Sequence, residues 1–184
     1  CWDLIPGLRK LGVLGIMFPQ EYGGMGLDMI STCIILEEIG RADASVALMV
    51  ESHNGLCTNH IYMNGSEEQK RKYVPPLAKG EVLGAWALTE PGAGSDAGSI
   101  QTRAKRVGAD YVLTGNKIFT TNGSHAHIAL VYAVTDPSKG KKGISAFLVE
   151  TNTAGFVVGK LEDKLGLRSS DTASITLDNC HVPQ

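Results

Sequence analysis

Apolar residues recur at helical spacing through the first half of the chain. Asp28 can cap a helix that begins at Met29 and ends at Gly40, because Asp side chains accept hydrogen bonds from the free amides of a first turn and glycine often follows a last turn. A second helix is predicted over about residues 43–64. The pattern therefore predicts a helical region over residues 1–80.

A shorter helix is predicted to follow within the same region. Ser66 at the N-cap and Gln69 three residues later match a capping box, in which each residue satisfies an amide of the other. The helix is predicted to end before Pro75 and Pro76, since the residue preceding a proline is disfavoured in the helical conformation.

From Glu81 onward the hydrophobic period changes to two, the period of strands with one buried face. The predicted strands are 82–88, 100–107, 111–120, 128–135, 144–149 and 174–177. Successive short strands without helices between them favour an antiparallel barrel or sandwich. The predicted fold is α+β, with a partial helical domain over 1–80 followed by an antiparallel β-barrel or sandwich domain over 81–184.

Composition excludes several classes of protein. The 184 residues carry a formal net charge of −2 and are 43% hydrophobic, which is typical of a globular protein and unlike a general nucleic-acid binder. No apolar run approaches the roughly 20 residues that span a bilayer, so no membrane association is predicted. The four cysteines, without a CxxC pair, are predicted to be reduced structural thiols, and the histidine spacing predicts no metal site. Because the chain opens inside an amphipathic pattern without an initiator Met, we expect it to be part of a longer protein.

The stretch Ala87–Ser99, ALTEPGAGSDAGS, has the composition of a ligand-binding loop. Its glycines allow backbone amides to approach a flat or anionic ligand, and the hydroxyls of Thr89 and Ser95 can bond to heteroatoms. The glycine spacing GxGxxxG, outside a βαβ unit, argues against a dinucleotide fingerprint. The residues alone leave two interpretations open, a ligand-binding loop and a glycine-rich hairpin without a ligand.

Ala87–Ser99 resembles the first signature of the acyl-CoA dehydrogenase family over its whole length. The sequence FTTNG at 119–123 resembles the second flavin segment of that family, which is usually WITNG. Further matches follow in the family's order at 14–26, 37–41, 64–70 and 163–168, so the resemblance covers nearly the entire chain. The later motifs are most similar to the short- and branched-chain members.

The resemblance implies an FAD site between the β-domain and a C-terminal helical domain. By similarity, Thr89 would hydrogen-bond the pyrimidine end of the flavin, and Thr121 would hydrogen-bond near its reactive nitrogen. Phe119 would pack on the ring face, where it keeps an aromatic wall but has less area than the usual Trp and no indole N–H. The cofactor-binding residues implied in this way are Trp86, Ala87, Leu88, Thr89, Glu90, Gly94, Ser95, Phe119, Thr120 and Thr121.

The resemblance also implies where the substrate would lie. Ser95 would stand where the cofactor and acyl-CoA meet, and Lys141 and Lys142 would approach the phosphates of CoA. Cations suit that position on charge alone. A solvated turn with exposed lysines is the alternative interpretation of the basic loop.

The family reaction is the α,β-dehydrogenation of an acyl-CoA thioester, as in fatty-acid β-oxidation. A carboxylate base removes the α-proton while the β-hydride moves to the flavin. The resemblance implies that this base belongs to the C-terminal helical domain, so it is expected outside this chain and no catalytic residue is assigned. It further implies electron transfer to an electron-transfer flavoprotein, a homotetramer or dimer, and a location in the bacterial cytoplasm or the mitochondrial matrix. Two alternatives stay open, an oxidase or flavin monooxygenase of the same superfamily and a non-enzymic flavin- or acyl-CoA-binding module.

Overall fold

The computed structural model describes residues 2–183, which form two compact units. The first contains the residues up to Gly84 together with Asp163–Ser170, and the second contains Ala85–Glu162 and the residues from Asp171 onward. The domain division predicted between residues 80 and 81 stays a prediction. Cys1, one of the four predicted thiols, and Gln184 lie outside the described residues.

Helices build the first unit. Its α-helices are α1 Ile5–Lys10, α2 Met29–Ala42, α3 Ala44–Glu51, α4 Asn59–Asn64 and α5 Glu67–Ala78. A π-helical segment, Ser52–Thr58, joins α3 to α4, and short 3-10 turns occupy Trp2–Leu4 and Gln20–Tyr22. The buried core of this unit consists of Leu8, Val13, Leu14, Ile16, Val46, Met49, Val50 and Leu83.

The helix starts predicted from capping residues are confirmed. The Asp28 carboxylate accepts a hydrogen bond from Ser31 N at 2.8 Å, and Asp28 is the N-cap of α2. Ser66 and Gln69 form the reciprocal capping box of α5, at 2.9 and 3.2 Å. These bonds join residues only three apart, which is why the local sequence was sufficient to predict them.

Of the three predicted helix ends, the one at residue 64 is confirmed by α4, and the other two are wrong. Helix α2 continues through Gly40 to Ala42, because an interior glycine costs a helix only about 1 kcal/mol. Helix α5 contains both Pro75 and Pro76. The two carbonyls that lose their usual donors to these prolines belong to the exposed residues Arg71 and Lys72, where water can replace the missing amides.

His53 connects three segments inside the first unit. Its Nδ1 accepts a hydrogen bond from Gly84 N at 3.0 Å, so Nε2 carries the proton and faces Leu14 O at 3.1 Å and Leu77 O at 3.0 Å. Burial lowers the pKa of His53 to about 4, against the smaller opposing effect of the two carbonyls. We call this neutral imidazole and its three main-chain partners the histidine hub.

The second unit is built on one seven-stranded sheet. Its strands are β1 Gly84–Ala87, β2 Arg103–Val107, β3 Asp110–Thr121, β4 Ile128–Val134, β5 Ile144–Glu150, β6 Phe156–Leu161 and β7 Thr172–Val182. The strand order is β1-β4-β2-β3-β7-β6, and β5 pairs with β4. A helical region followed by a sheet confirms the predicted α+β class.

Two features of the sheet differ from the prediction. Strand β2 pairs with β4 in parallel through Arg103 and Val134, whereas the predicted sheet was entirely antiparallel. Strand β6 was not predicted at all. Its residues after Phe156 are all exposed, so the alternation that reveals a half-buried strand is missing.

Candidate cofactor site

Three consecutive residues after β1 are bound to two consecutive residues of β3. Lys117 Nζ donates to Leu88 O at 3.0 Å and lies 2.7 Å from Glu90 Oε1. Ile118 N donates to Thr89 O at 2.9 Å. The structure therefore brings the segment 88–90 against the start of the segment 118–121, although nearly thirty residues separate them in the sequence.

The Glu90 carboxylate also closes the base of the loop that follows. It accepts hydrogen bonds from the amides of Gln101 and Thr102, the latter at 2.9 Å. Its own amide and carbonyl bond to Ala93, at 3.0 and 3.1 Å. The carboxylate of Glu90, the residue before the loop 91–100, therefore binds the two residues that follow the loop. The cofactor contact assigned to Glu90 stays a prediction, but its carboxylate is engaged by protein donors.

Glu90 and Lys117 form a buried ion pair, with side chains 5% and 0% exposed. Burial alone would raise the pKa of Glu90, but the hydrogen bonds from Lys117, Thr102 and Gln101 outweigh it and hold that pKa below its usual value. Burial lowers the pKa of Lys117, and the facing carboxylate opposes the shift. Each charge compensates the other in a place where either alone would be costly.

Phe119 stands at a β-bulge with its ring exposed. The pairing of β3 with β7 slips between Lys117 and Thr120, which leaves Phe119 outside the ladder. Its φ is +56°, a left-handed conformation that costs a non-glycine residue roughly 1–2 kcal/mol, and the residue is 58% exposed. A strained backbone that presents a large apolar ring to the surface is typical of a functional site.

The residues that follow Phe119 are less exposed than Phe119 itself. Thr120 is 1% exposed, and its hydroxyl has no hydrogen-bond partner among residues 2–183. Thr121, half-buried, ends β3. The turn beyond it is fixed by Asp171, whose carboxylate accepts from Ser124 N at 2.9 Å and Ser124 Oγ at 2.8 Å. The contacts predicted for Thr120 and Thr121 stay predictions.

The predicted substrate residues lie on two adjacent loops. Lys141 Nζ is 3.9 Å from Asp96 Oδ1, and the stem of Lys141 lies against Gly98, where a Cβ would clash with it. Ser95, next to Asp96, is exposed, as is Lys142. A cleft of about 140 Å³ is lined by residues of both loops and of the neighbouring strands, namely Gly98, Ile100, Gln101, Arg103, Val134, Pro137, Gly140 and Ile144.

The other predicted residues show a simpler environment. Trp86 is half-buried in β1 and meets Tyr132 edge to face, with ring centroids 5.6 Å apart. Ala87 is buried, Leu88 is half-buried, and Gly94 is exposed. A larger groove of about 620 Å³ contains none of the predicted residues and is lined by Arg103, Lys105, Val107, Val112, Thr114, Asn179 and His181.

Residues 2–183 contain neither a candidate metal site nor a membrane-spanning helix. No group of three or more His, Cys, Asp or Glu side chains within this range could hold a metal ion. None of the helices described there has the length and apolar character required to cross a bilayer.

Two family models match the chain, one on each half. Residues 1–81 match "Acyl-CoA dehydrogenase, N-terminal domain", and residues 85–180 match "Acyl-CoA dehydrogenase, middle domain". The chain belongs to the acyl-CoA dehydrogenase family. The resemblance seen in the loop and flavin motifs is thereby confirmed at the level of the family.

Individual members of the acyl-CoA dehydrogenase family align over all of the chain. An acyl-CoA dehydrogenase of Bacillus subtilis is 49% identical over 183 residues, which are 100% of this chain and 48% of that protein. A mitochondrial isovaleryl-CoA dehydrogenase of Solanum tuberosum is also 49% identical over 183 residues, covering 44% of its length. The chain therefore spans about half the length of the curated relatives it matches.

Solved structures of other proteins share the fold. A chain in the structure of the electron transferring flavoprotein of Acidaminococcus fermentans superposes with a TM-score of 0.97 at 46% identity, covering 100% of this chain and 48% of that one. A glutaryl-CoA dehydrogenase of Mycobacterium smegmatis, solved in complex with FADH2, gives a TM-score of 0.91 at 39% identity, with coverage of 98% and 45%.

Sequence reasoning missed Lys117, the residue that joins the two motif segments of this family member. A signal was present, because a lysine inside an apolar strand needs a buried acid as its partner and Glu90 is the acid of the loop motif. The amides of Gln101 and Thr102 carried no such signal, since every residue except proline has an amide.

Proposed function

We propose that the full-length protein is an FAD-dependent acyl-CoA dehydrogenase. One observation carries the proposal: Phe119, an exposed ring on a strained bulge, lies in the strand segment that hydrogen bonds join to Thr89. A flavin needs a flat apolar wall and a few fixed donors, and the residues present fit that need. The FAD and FADH2 complexes of related dehydrogenases support the same cofactor.

The residues of this chain would hold and orient the flavin. Phe119 would shield one ring face from water, while the hydroxyls of Thr89 and Thr121 would bond to its polar edge. When bound, the flavin supplies the acceptor for the hydride that leaves the substrate. Fixed donors at such an acceptor stabilise the charge that develops on it.

The proposed substrate is an acyl-CoA thioester. Ser95 would contact it near the cofactor, and Lys141 and Lys142 would face the phosphates of CoA. The closeness of the two loops, through Lys141 and Asp96, supports this assignment. The base that removes the α-proton is proposed to lie outside the 184 residues, and we assign no catalytic residue within them.

Partners and location are proposed from the relatives. An electron-transfer flavoprotein is the proposed electron acceptor, supported by the superposition on a chain of such a structure. We further propose a homo-oligomer, a tetramer or a dimer. Bacterial and mitochondrial relatives support a place in the bacterial cytoplasm or the mitochondrial matrix.

Anaerobic titration of the full-length protein with acyl-CoA esters tests the proposal. The flavin absorbance near the visible maximum is expected to bleach with at least one short or branched acyl-CoA, and reoxidation should require an added electron acceptor. Rapid oxygen consumption with peroxide release would instead support an oxidase. A flavin that stays oxidised with every ester would refute the dehydrogenase assignment.

A further inference from the structure

We propose that the Glu90–Lys117 ion pair is the positioning pair of the cofactor site, which sets Thr89 relative to Phe119 and holds the loop that carries Ser95. This inference rests on the proposed function, because it gives the pair a purpose only if a flavin binds there. Neither residue is proposed to touch the flavin through its side chain.

Thr89 is immobilised on both sides by one ammonium group. Lys117 Nζ bonds to Leu88 O, which precedes Thr89, at 3.0 Å and to Glu90 Oε1, which follows it, at 2.7 Å. The carbonyl of Thr89 accepts from Ile118 N at 2.9 Å. The backbone of Thr89 cannot move relative to β3 without breaking at least one of these three bonds.

The bulge in β3 makes this attachment possible. Lys117 pairs with Ile175 of β7, and the next paired residue is Thr120, opposite Ala173. Ile118 and Phe119 are therefore free of the ladder. The amide of Ile118 is used to bind Thr89 O, and Phe119 turns its ring outward. The bulge therefore both leaves the amide of Ile118 available to the loop and exposes the ring of Phe119.

Stability alone does not account for a charged pair at this position. Buried ion pairs are often no more stabilising than apolar side chains of similar volume, because the cost of removing both charges from water offsets their attraction. An apolar pair, however, would leave Leu88 O and the amides of Gln101 and Thr102 without partners. What the charged pair provides is a set of directed bonds that connects the start of the loop, its end and β3.

Two variants of the full-length protein separate positioning from stability. Lys117→Met removes the bonds to Leu88 and Glu90 and leaves a buried carboxylate without its cation. The double variant Glu90→Gln with Lys117→Met removes that carboxylate charge but still leaves Leu88 O without a donor. Lys160→Met is the matched control, because Lys160 forms an exposed pair with Glu162 at 3.0 Å in the same unit.

Three measurements are made on each variant: unfolding by denaturant, amide hydrogen exchange without flavin, and the spectrum and reduction rate of bound flavin. Lys117→Met should lower stability, and the double variant should regain most of it. Both should exchange faster at Ile118, alter the flavin spectrum and slow flavin reduction on the order of 100-fold, as a small displacement of positioning groups does. Lys160→Met should match the parent protein throughout.

Several outcomes would overturn the positioning role. One is a double variant in which the flavin spectrum and reduction rate recover together with stability, since the pair would then act through folding alone. Another is faster exchange at Ile118 with unchanged flavin properties. Failure of both Lys117 variants to fold, while Lys160→Met folds, would also assign the pair to folding. If the parent protein binds no flavin, the proposed function fails, and hydrogen exchange still reports whether the pair holds the loop.

Discussion

Each unit of the chain uses buried polar side chains to hold separate segments together. The histidine hub of the first unit and the Glu90–Lys117 pair of the second differ in charge and in surroundings. The histidine hub is neutral, and its partners are three main-chain groups within the helical unit. The Glu90–Lys117 pair is charged and joins the two segments that carry the family motifs. Phe119, two residues after Lys117, is strained and exposed, whereas His53 is fully buried. The comparison indicates that the histidine hub contributes stability, whereas the Glu90–Lys117 pair positions the loop and β3.

The largest expected effect comes from removing the histidine hub. His53→Ala would remove the acceptor of Gly84 N and the donor that Leu14 O and Leu77 O share, although Leu77 O keeps Gly80 N, and it would open a cavity. The free energy of unfolding should therefore fall by about 3–5 kcal/mol. Denaturant titration measures this change. His181→Ala, at an exposed position, is the control and should alter stability by less than about 0.5 kcal/mol. A loss below 1 kcal/mol at His53 would contradict a stabilising hub.

Acid should weaken the histidine hub and the Glu90–Lys117 pair in different pH ranges. The pKa of His53 is lowered from 6.5 to about 4, so the unfolded chain binds the extra proton first and stability falls as the pH drops from 6.5 toward 4. The total loss is about 3.5 kcal/mol, at about 1.4 kcal/mol for each pKa unit. The pKa of Glu90 is also lowered, so its contribution is present above the ordinary glutamate pKa and is lost only as the pH falls further, through the folded value.

Denaturant titrations at several pH values between 7 and 4 check the part of this prediction that concerns His53. Stability of the parent protein should decline from pH 6.5, and His53→Asn should remove most of that decline. A flat profile between pH 6.5 and 4.5 would show that His53 titrates normally in the folded protein.

A medium effect is expected at Phe119, where two substitutions separate strain from binding. Phe119→Gly should be more stable than Phe119→Ala by about 1 kcal/mol, because only glycine adopts a φ of +56° without steric cost. Both should weaken flavin binding equally, since both remove the aromatic wall. Thermal unfolding measures the difference in stability, and flavin titration measures the loss of binding. Equal stability would mean that the bulge relaxes around alanine, and unchanged flavin affinity would exclude Phe119 from the site.

The smallest effect is expected at the basic loop. Lys141→Ala and Lys142→Ala should each raise KM for acyl-CoA a few-fold at low salt and less at high salt, because exposed charges are screened. Lys105→Ala, an exposed cation lining the larger groove, is the matched control and should leave KM unchanged. A KM that responds to Lys105 and not to the loop lysines would move the anion site to that groove.

Much of the fold could be predicted from the sequence because its signals are local. The caps at Asp28 and Ser66 act over three residues, and the change of period near residue 81 separates helices from strands. The prolines of α5 and strand β6 were misjudged for the opposite reason. Helix α5 continues through Pro75 where the residues one turn earlier are exposed, and β6 buries only Phe156, so neither shows the local signal on which the prediction relied.

The candidate site divides in the same way. The loop Ala87–Ser99 and the segment 119–123 were found from their residues, because each motif consists of consecutive residues that resemble the family. The sequence did not show that the strand residues just before 119–123 bind the loop, because this contact depends on a bulge and on Lys117, which neither motif includes. The parallel pairing of Arg103 with Val134 was equally hidden, since strand period indicates a strand but not its partner.

The sequence by itself determined the α+β class and the order of a helical region before a sheet, because these follow from the spacing of apolar residues. The residues proposed to face a flavin came from the resemblance of two short motifs. Only the tertiary structure decided that Lys117 binds Leu88 and Glu90, that His53 is neutral and that Phe119 is strained and exposed. Those properties arise where distant segments share a desolvated space, and there hydrogen-bond geometry and burial set both charge and position.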